Sequence, residues 1–76
     1  MQVVKRDGSL QEFDSIKIVE AISKAFDACC PNENRQHIEN MVSDIRFWDG
    51  ITIEEIQDIV VETLKDYGYD EVAESY

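Results

Sequence analysis

Lys5, Arg6 and Lys17 are the residues of this chain best suited to chemistry, and the chemistry is anion binding. Lys5 and Arg6 stand directly before Asp7-Gly8, a tight-turn signal, and Lys17 falls in the first turn or so of the helix that follows. A helix start exposes unpaired N–H groups and carries about half a positive charge, so it attracts anions and disfavours a lysine. An anion held there would offset that cost. The bland alternative is that Lys17 and Lys24 are simply solvated, opposite the apolar stripe of their helix. Composition alone leaves both readings open. The surroundings sharpen the question: residues 1–26 hold four basic and four acidic side chains, whereas residues 27–76 hold three basic and thirteen acidic, for a net charge of −10. Neither a GxxxxGKS phosphate loop nor a GxGxxG turn is present, so the two standard nucleotide fingerprints do not apply.

The remaining reactive residues carry less. His37 is the only histidine and lies one position off an apolar stripe, with no neighbour at ligand spacing; a surface or half-buried structural role is expected. Cys29 and Cys30 are adjacent and close a helix. A structural zinc site normally needs four ligands in paired blocks, so a core or capping role is expected for them, and two cysteines make no disulfide framework. Glu54, Asp58, Glu62 and Asp66 recur every four residues. Like charges at that spacing repel by a few tenths of a kcal/mol per pair. They read as a solvated acidic face or, more sharply, as a docking face for a basic surface. Trp48 beside Asp49-Gly50 reads as a lid over helix ends. No nucleophile stands near a base and no metal constellation is evident, so nothing here looks catalytic.

The elements that must position the cations are short and clearly marked. Val3–Lys5 and Leu10–Phe13 read as two strands joined at Asp7-Gly8 by a two-residue primed turn. An isolated hairpin is unstable, so it should lie on helices. Asp14 or Ser15 caps a first helix with Ile18, Ile22, Ala25, Phe26 and Cys29 at helical spacing. Pro31-Asn32 breaks it. A second helix runs from about Glu33 to Ile45, with Ile38, Met41, Val42 and Ile45 on one stripe. Phe47-Trp48-Asp49-Gly50 is the next turn. Thr52 and Glu55 have capping-box spacing and open a third helix, with Ile53, Ile56, Val60, Leu64 and Tyr67 facing inward. Gly68 stops it, and residues 70–76 look like the start of a fourth helix that is then cut off. The fold class expected is therefore mainly α: an N-terminal β-hairpin covering three helices plus a truncated fourth.

Size and charge exclude several functions. Seventy-six residues make one small domain, which buries only about 60–65% of its unfolded surface and is marginally stable. No apolar run approaches the roughly 20 residues needed to cross a membrane, and no apolar signal-peptide core is present; the expected location is the cytoplasm. A net charge of −10 argues against nucleic acid and against an anionic membrane surface.

Val3-x-Lys5-Arg6-Asp7-Gly8, then Phe13, then Lys17-Ile18-x-x-Ala21-Ile22, resembles the ATP-cone domain. So does Phe47-Trp48-Asp49-Gly50-Ile51 followed by Ile56-Gln57-Asp58-Ile59-Val60. The resemblance covers nearly the whole chain. Such domains stand at the N-terminus of many ribonucleotide reductase large subunits and in a nucleotide-sensing repressor of reductase genes. It implies a regulatory site for ATP or dATP with Mg²⁺, acting as an activity switch on an attached catalytic body. By position, Val3 would touch the base, and Lys5, Arg6 and Lys17 would engage phosphates. Gln11 and Asp14 fall where family members often place polar contacts. Ile53 and Gln57 fall where some reductases have a threonine and a histidine. The implied partners are the adenine nucleotide, the catalytic body of the parent, and a second copy through the cone. A reductase parent, leaning toward the anaerobic kind, fits Met1 just ahead of the motif; the repressor carries a zinc ribbon before its cone. Residues 1–76 would then be the N-terminal fragment of a larger protein.

Overall fold

The computed structural model describes residues 1–30 and 34–76. In chain order the elements are β1 (Gln2–Val4), β2 (Leu10–Glu12), α1 (Ser15–Cys29), α2 (Arg35–Ser43), β3 (Ile51–Thr52), α3 (Ile53–Asp66) and α4 (Asp70–Ser75). The expected architecture is present, with one more strand than the sequence showed. The sheet order is β2-β1-β3. β1 pairs antiparallel with β2, Val3 opposite Gln11, and parallel with β3, Val3 opposite Ile51. β1 is thus the central strand, and Val3 and Ile51 are both buried.

The hairpin turn also differs from expectation. A primed two-residue turn needs positive φ at both Asp7 and Gly8. Among the described residues only glycines have positive φ, Gly8 at 86°. The Gly8 N–H donates to the Lys5 carbonyl (2.9 Å), and the Lys5 N–H donates to the Ser9 carbonyl (2.8 Å). This is a three-residue loop, a turn closed by a left-handed glycine. Asp7 explains the choice. Its carboxylate accepts from the Ser9 N–H (2.9 Å) and hydroxyl (2.6 Å). Such a side-chain-closed turn holds Asp7 at negative φ. The same two bonds hold its carboxyl below the ordinary carboxylate range.

Asp14 caps α1, its carboxylate accepting from the Ile16 N–H at 3.0 Å. Ile18, Val19, Ile22, Ala25 and Phe26 face the core. Pro31-Asn32, expected to break this helix, and Glu33, expected to open the next, lie outside the described residues. α2 is capped by Asn34, whose side chain accepts from the Gln36 N–H at 2.7 Å. It ends at Ser43, two residues short of the expected Ile45. A shorter-range bond from the Ile45 N–H to the Val42 carbonyl (3.1 Å) tightens the exit.

The capping box of α3 is complete. The Glu55 N–H donates to Thr52 Oγ1 (3.1 Å), and the Thr52 N–H donates to Glu55 Oε1 (3.0 Å). At the other end the Tyr69 N–H donates to the Leu64 carbonyl (2.8 Å) and the Gly68 N–H to the Lys65 carbonyl (2.9 Å). That pair of bonds is a Schellman stop, and it requires the left-handed backbone of Gly68, φ 86°. Tyr67, expected on the inward stripe, is 46% exposed. α4, read from sequence as a stub, buries Val72 and Ala73 against α1 and α3. Ile22, Val60 and Leu64 are fully buried at the centre.

Candidate functional site

Six of the eight residues singled out from sequence line one cavity. It has a volume of about 190 Å³, and it lies where β1, β2, the first two turns of α1 and the start of α3 meet. Val3 and Ile53 form apolar wall with Ile18 and Ile56. Gln11, Asp14, Lys17 and Gln57 bring polar groups to it. The packing that makes it is local in origin. Strand alternation turns Val3 inward, the Asp14 cap sets where α1 begins, and the Thr52–Glu55 box sets where α3 begins. Lys17 and Ile18 therefore face Ile53 and Gln57 across a gap. The volume is below the roughly 300–1,000 Å³ of most small-molecule sites, so the cavity could enclose only part of a larger ligand.

Lys5 and Arg6 lie on the hairpin loop and line a separate shallow depression with Asp7 and Ile53. Ile53 is common to both hollows, so it forms the ridge between the cavity and the loop cations. Arg6 is engaged: its Nε is 3.2 Å from Glu54 Oε1, with both side chains largely exposed. Among the described residues neither Lys5 nor Lys17 forms an ion pair. Asp14 already accepts the Ile16 N–H, so it would meet a ligand only with remaining acceptor capacity. The two glutamine amides each offer donors and an acceptor, the equipment needed to match the edge of a heteroaromatic base.

Residues that sequence reasoning did not assign to the site are Glu12, Phe13, Ala21, Ile56 and Tyr76, with Ile18 counted only as core; Glu12 is engaged by the N-terminal ammonium and by the Gln2 amide. Tyr76 is half-buried, and burial pushes its phenol pKa up. Phe13 packs on Phe47 at 5.1 Å between ring centroids. That partner is Phe47 rather than Trp48, which stays 46% exposed and is not the expected lid. Phe13 also borders a second, larger hollow of about 390 Å³ between α1 and α2. Its one basic residue, Arg35, is directed at Glu39 in its own helix at 3.5 Å. Size alone would favour that hollow, but the first holds Lys17, which forms no ion pair among the described residues, and adjoins the Lys5 and Arg6 depression at Ile53.

The other residues weighed from sequence are accounted for. His37 is half-buried, and its Nε2 lies 3.1 Å from the Tyr69 hydroxyl, a structural contact. Cys30 is the C-cap of α1, its N–H donating to the Phe26 carbonyl. Cys29 is half-buried, and its thiol donates to Glu71 Oε2 at 3.2 Å. Of the acidic series on α3, Glu54 is taken up by Arg6, and Glu54, Asp58 and Glu62 flank a shallow exposed depression. Among the described residues no helix is long and apolar enough to cross a membrane.

A helical globule under a short N-terminal sheet, with cations at the hairpin and first helix, is the arrangement of a nucleotide-binding regulatory module. The chain belongs to the ATP cone domain family, whose family model matches residues 1–76. A relative named ribonucleoside-diphosphate reductase subunit alpha, from Chlamydia pneumoniae, is 32% identical over 87 aligned residues. The match covers 97% of this chain and 8% of that relative, so the chain spans a small part of the relative's length.

Proposed function

We propose that this domain binds ATP or dATP, with Mg²⁺, as the allosteric activity switch of a ribonucleotide reductase. The observation that supports it best is the single cavity lined by Val3, Gln11, Asp14, Lys17, Ile53 and Gln57, with Lys5 and Arg6 just across the Ile53 ridge. Adenine would lie against the apolar wall, its edge toward the glutamine amides. The phosphates would project toward Lys17, Lys5 and Arg6. Charge-assisted bonds of this kind are worth roughly 1.5–3 kcal/mol each before costs, so three support micromolar binding. The net charge of −10 opposes a polyanion, and Mg²⁺, held mainly by phosphate oxygens and water, would offset it. The switch works by differential affinity: ATP and dATP favour different arrangements of the domain against its catalytic body or a second cone. The reductase relative favours this parent over the repressor, and the reading places the parent in the cytoplasm.

Calorimetry of the chain with ATP, dATP and GTP in Mg²⁺ tests it. Adenine nucleotides should bind, more weakly as salt rises. Equal affinity for GTP would refute the base assignment, and no heat with any nucleotide at millimolar concentration would refute the site. A basic peptide that bound while nucleotides did not would favour the acidic face of α3 as a protein-docking surface.

A further inference from the structure

We propose that Cys29, Cys30 and Glu71 form a binding site for a thiophilic divalent cation, zinc being the natural occupant, at the junction of α1 and α4. The ligating atoms of these three residues all lie within 4.8 Å of one another. Cys29 Sγ is 3.0 Å from Cys30 Sγ and 3.2 Å from Glu71 Oε2. In a tetrahedral site with Zn–S near 2.3 Å and Zn–O near 2.1 Å, two sulfurs stand about 3.8 Å apart and a sulfur and an oxygen about 3.6 Å. The side chains therefore need to spread by less than about 1 Å to admit the ion.

The fold creates this juxtaposition. Consecutive residues within a helix point about 100° apart, which would separate the two thiols. Cys30 has left the helix: it is the C-cap, at φ −140° and ψ 73°, pinned by its N–H to the Phe26 carbonyl. Its sulfur returns beside that of Cys29. Glu71 arrives from 41 and 42 residues further along the chain, in the first turn of α4. The Gly68 stop and the burial of Val72 and Ala73 fix that turn in place.

The chemistry selects the ion. Two thiols and one carboxylate suit zinc, cadmium or cobalt(II), and not magnesium or calcium, which take oxygen ligands. Cys30 and Glu71 are exposed, so a fourth position faces solvent and would take water. Among the described residues no basic side chain is paired with any of the three. A divalent cation binds both sulfurs as thiolates, and two protons leave to the buffer, so affinity should rise with pH. The ion would tie α1 to α4, and Tyr76, the residue after α4, lines the cavity described above. The site itself does not rest on the nucleotide reading.

Cobalt(II) titration of the whole chain in a phosphine reductant tests this. The expected result is one cobalt per chain, with a thiolate-to-cobalt charge-transfer band, tetrahedral ligand-field bands, release of two protons, displacement by zinc, and a higher melting temperature. Cys30→Ser and Glu71→Gln change exposed side chains, and circular dichroism would verify that both variants fold. Cys30→Ser should weaken cobalt by more than the roughly 10–100-fold typical of losing an outer-shell support, and Glu71→Gln by roughly tenfold or more. No charge-transfer band at millimolar cobalt would overturn the proposal. So would one cobalt per two chains, or a band and affinity untouched by Glu71→Gln.

Discussion

Replacing Lys17 with alanine separates a phosphate-binding lysine from a solvated one, because the two roles predict opposite signs for stability. With Asp14 as the cap, Lys17 is the third helical residue of α1, and the first turn of that helix contains no acidic side chain. Its charge therefore sits at the N–H end of the helix, without an acidic partner in that first turn. Removing a like charge from a helix start returns about 0.3–1 kcal/mol, and alanine has a slightly better helix propensity. For a domain of this size 1 kcal/mol moves the melting temperature by about 4–8 °C, so Lys17→Ala should melt unchanged or a few degrees higher. The same change should remove one charge-assisted phosphate contact and weaken ATP about 10- to 100-fold, or about 1.5–3 kcal/mol. Lys65→Ala is the control: Lys65 is exposed in the last turn of α3 and borders neither the cavity nor the hairpin depression. It loses the same formal charge and should change affinity little. Calorimetry and thermal melts of the two variants side by side decide it. Equal small losses of affinity would mean a diffuse field rather than a site. A large drop in melting temperature for Lys17→Ala would mean a structural lysine, and the assignment would fall.

Glu54→Gln releases Arg6 from its exposed ion pair; since such pairs are worth up to about 1 kcal/mol, ATP affinity in a titration should rise by up to about fivefold, and a loss would show that Glu54 helps to hold the ligand. Thr52→Ala breaks the capping box and should cost about 1 kcal/mol in denaturant unfolding, with Thr52→Ser recovering most of it. Asp7 is held below the ordinary carboxylate range in the folded chain. Its contribution is therefore present at pH above that range and is lost as pH falls through the lowered value. Asp7→Asn should flatten that acid limb in melts taken across pH, and an unchanged limb would show that the Ser9 contacts do not contribute in solution.

Local signals in the sequence reached far into this fold. The stripe Ile18, Ile22, Ala25 and Phe26, the Thr52–Glu55 box and the Gly68 stop each follow from interactions within about one helical turn, and each is present. β3 was not legible because two residues, Ile51 and Thr52, carry no periodicity. The strand exists through pairing with β1, almost fifty residues away, reinforced by the Gln2 N–H donating to Asp49 Oδ1 at 2.6 Å. The hairpin was legible but its turn was not, because the Asp7 side chain overrides the backbone preference of Asp-Gly. For the site, Val3, Gln11, Asp14, Lys17, Ile53 and Gln57, which the motif groups, line one cavity. The motif could not show that Arg6 is paired with Glu54, or that Glu12, Phe13, Ala21, Ile56 and Tyr76 complete the walls. Those are contacts between elements, fixed only once the helices dock.

The way the cavity is assembled explains how a ligand could act beyond its own contacts. Its walls come from β1, β2, α1, α3 and the residue after α4, so no single element carries the site. A molecule bound there bridges the sheet to α3 and reaches the end of the chain. Anything that binds the folded state alone stabilises it by mass action, about 2.7 kcal/mol at a ligand concentration 100-fold above Kd. In a domain this small that is a large share of the total stability. Two ligands that differ only at the sugar would share most of that gain. Their difference would then be expressed beside the cavity, at the Arg6–Glu54 pair across the Ile53 ridge, exposed and individually weak, and at Tyr76, the half-buried lining residue that follows α4. Neither is part of the fully buried Ile22–Val60–Leu64 core, so either can shift at less cost than a core residue.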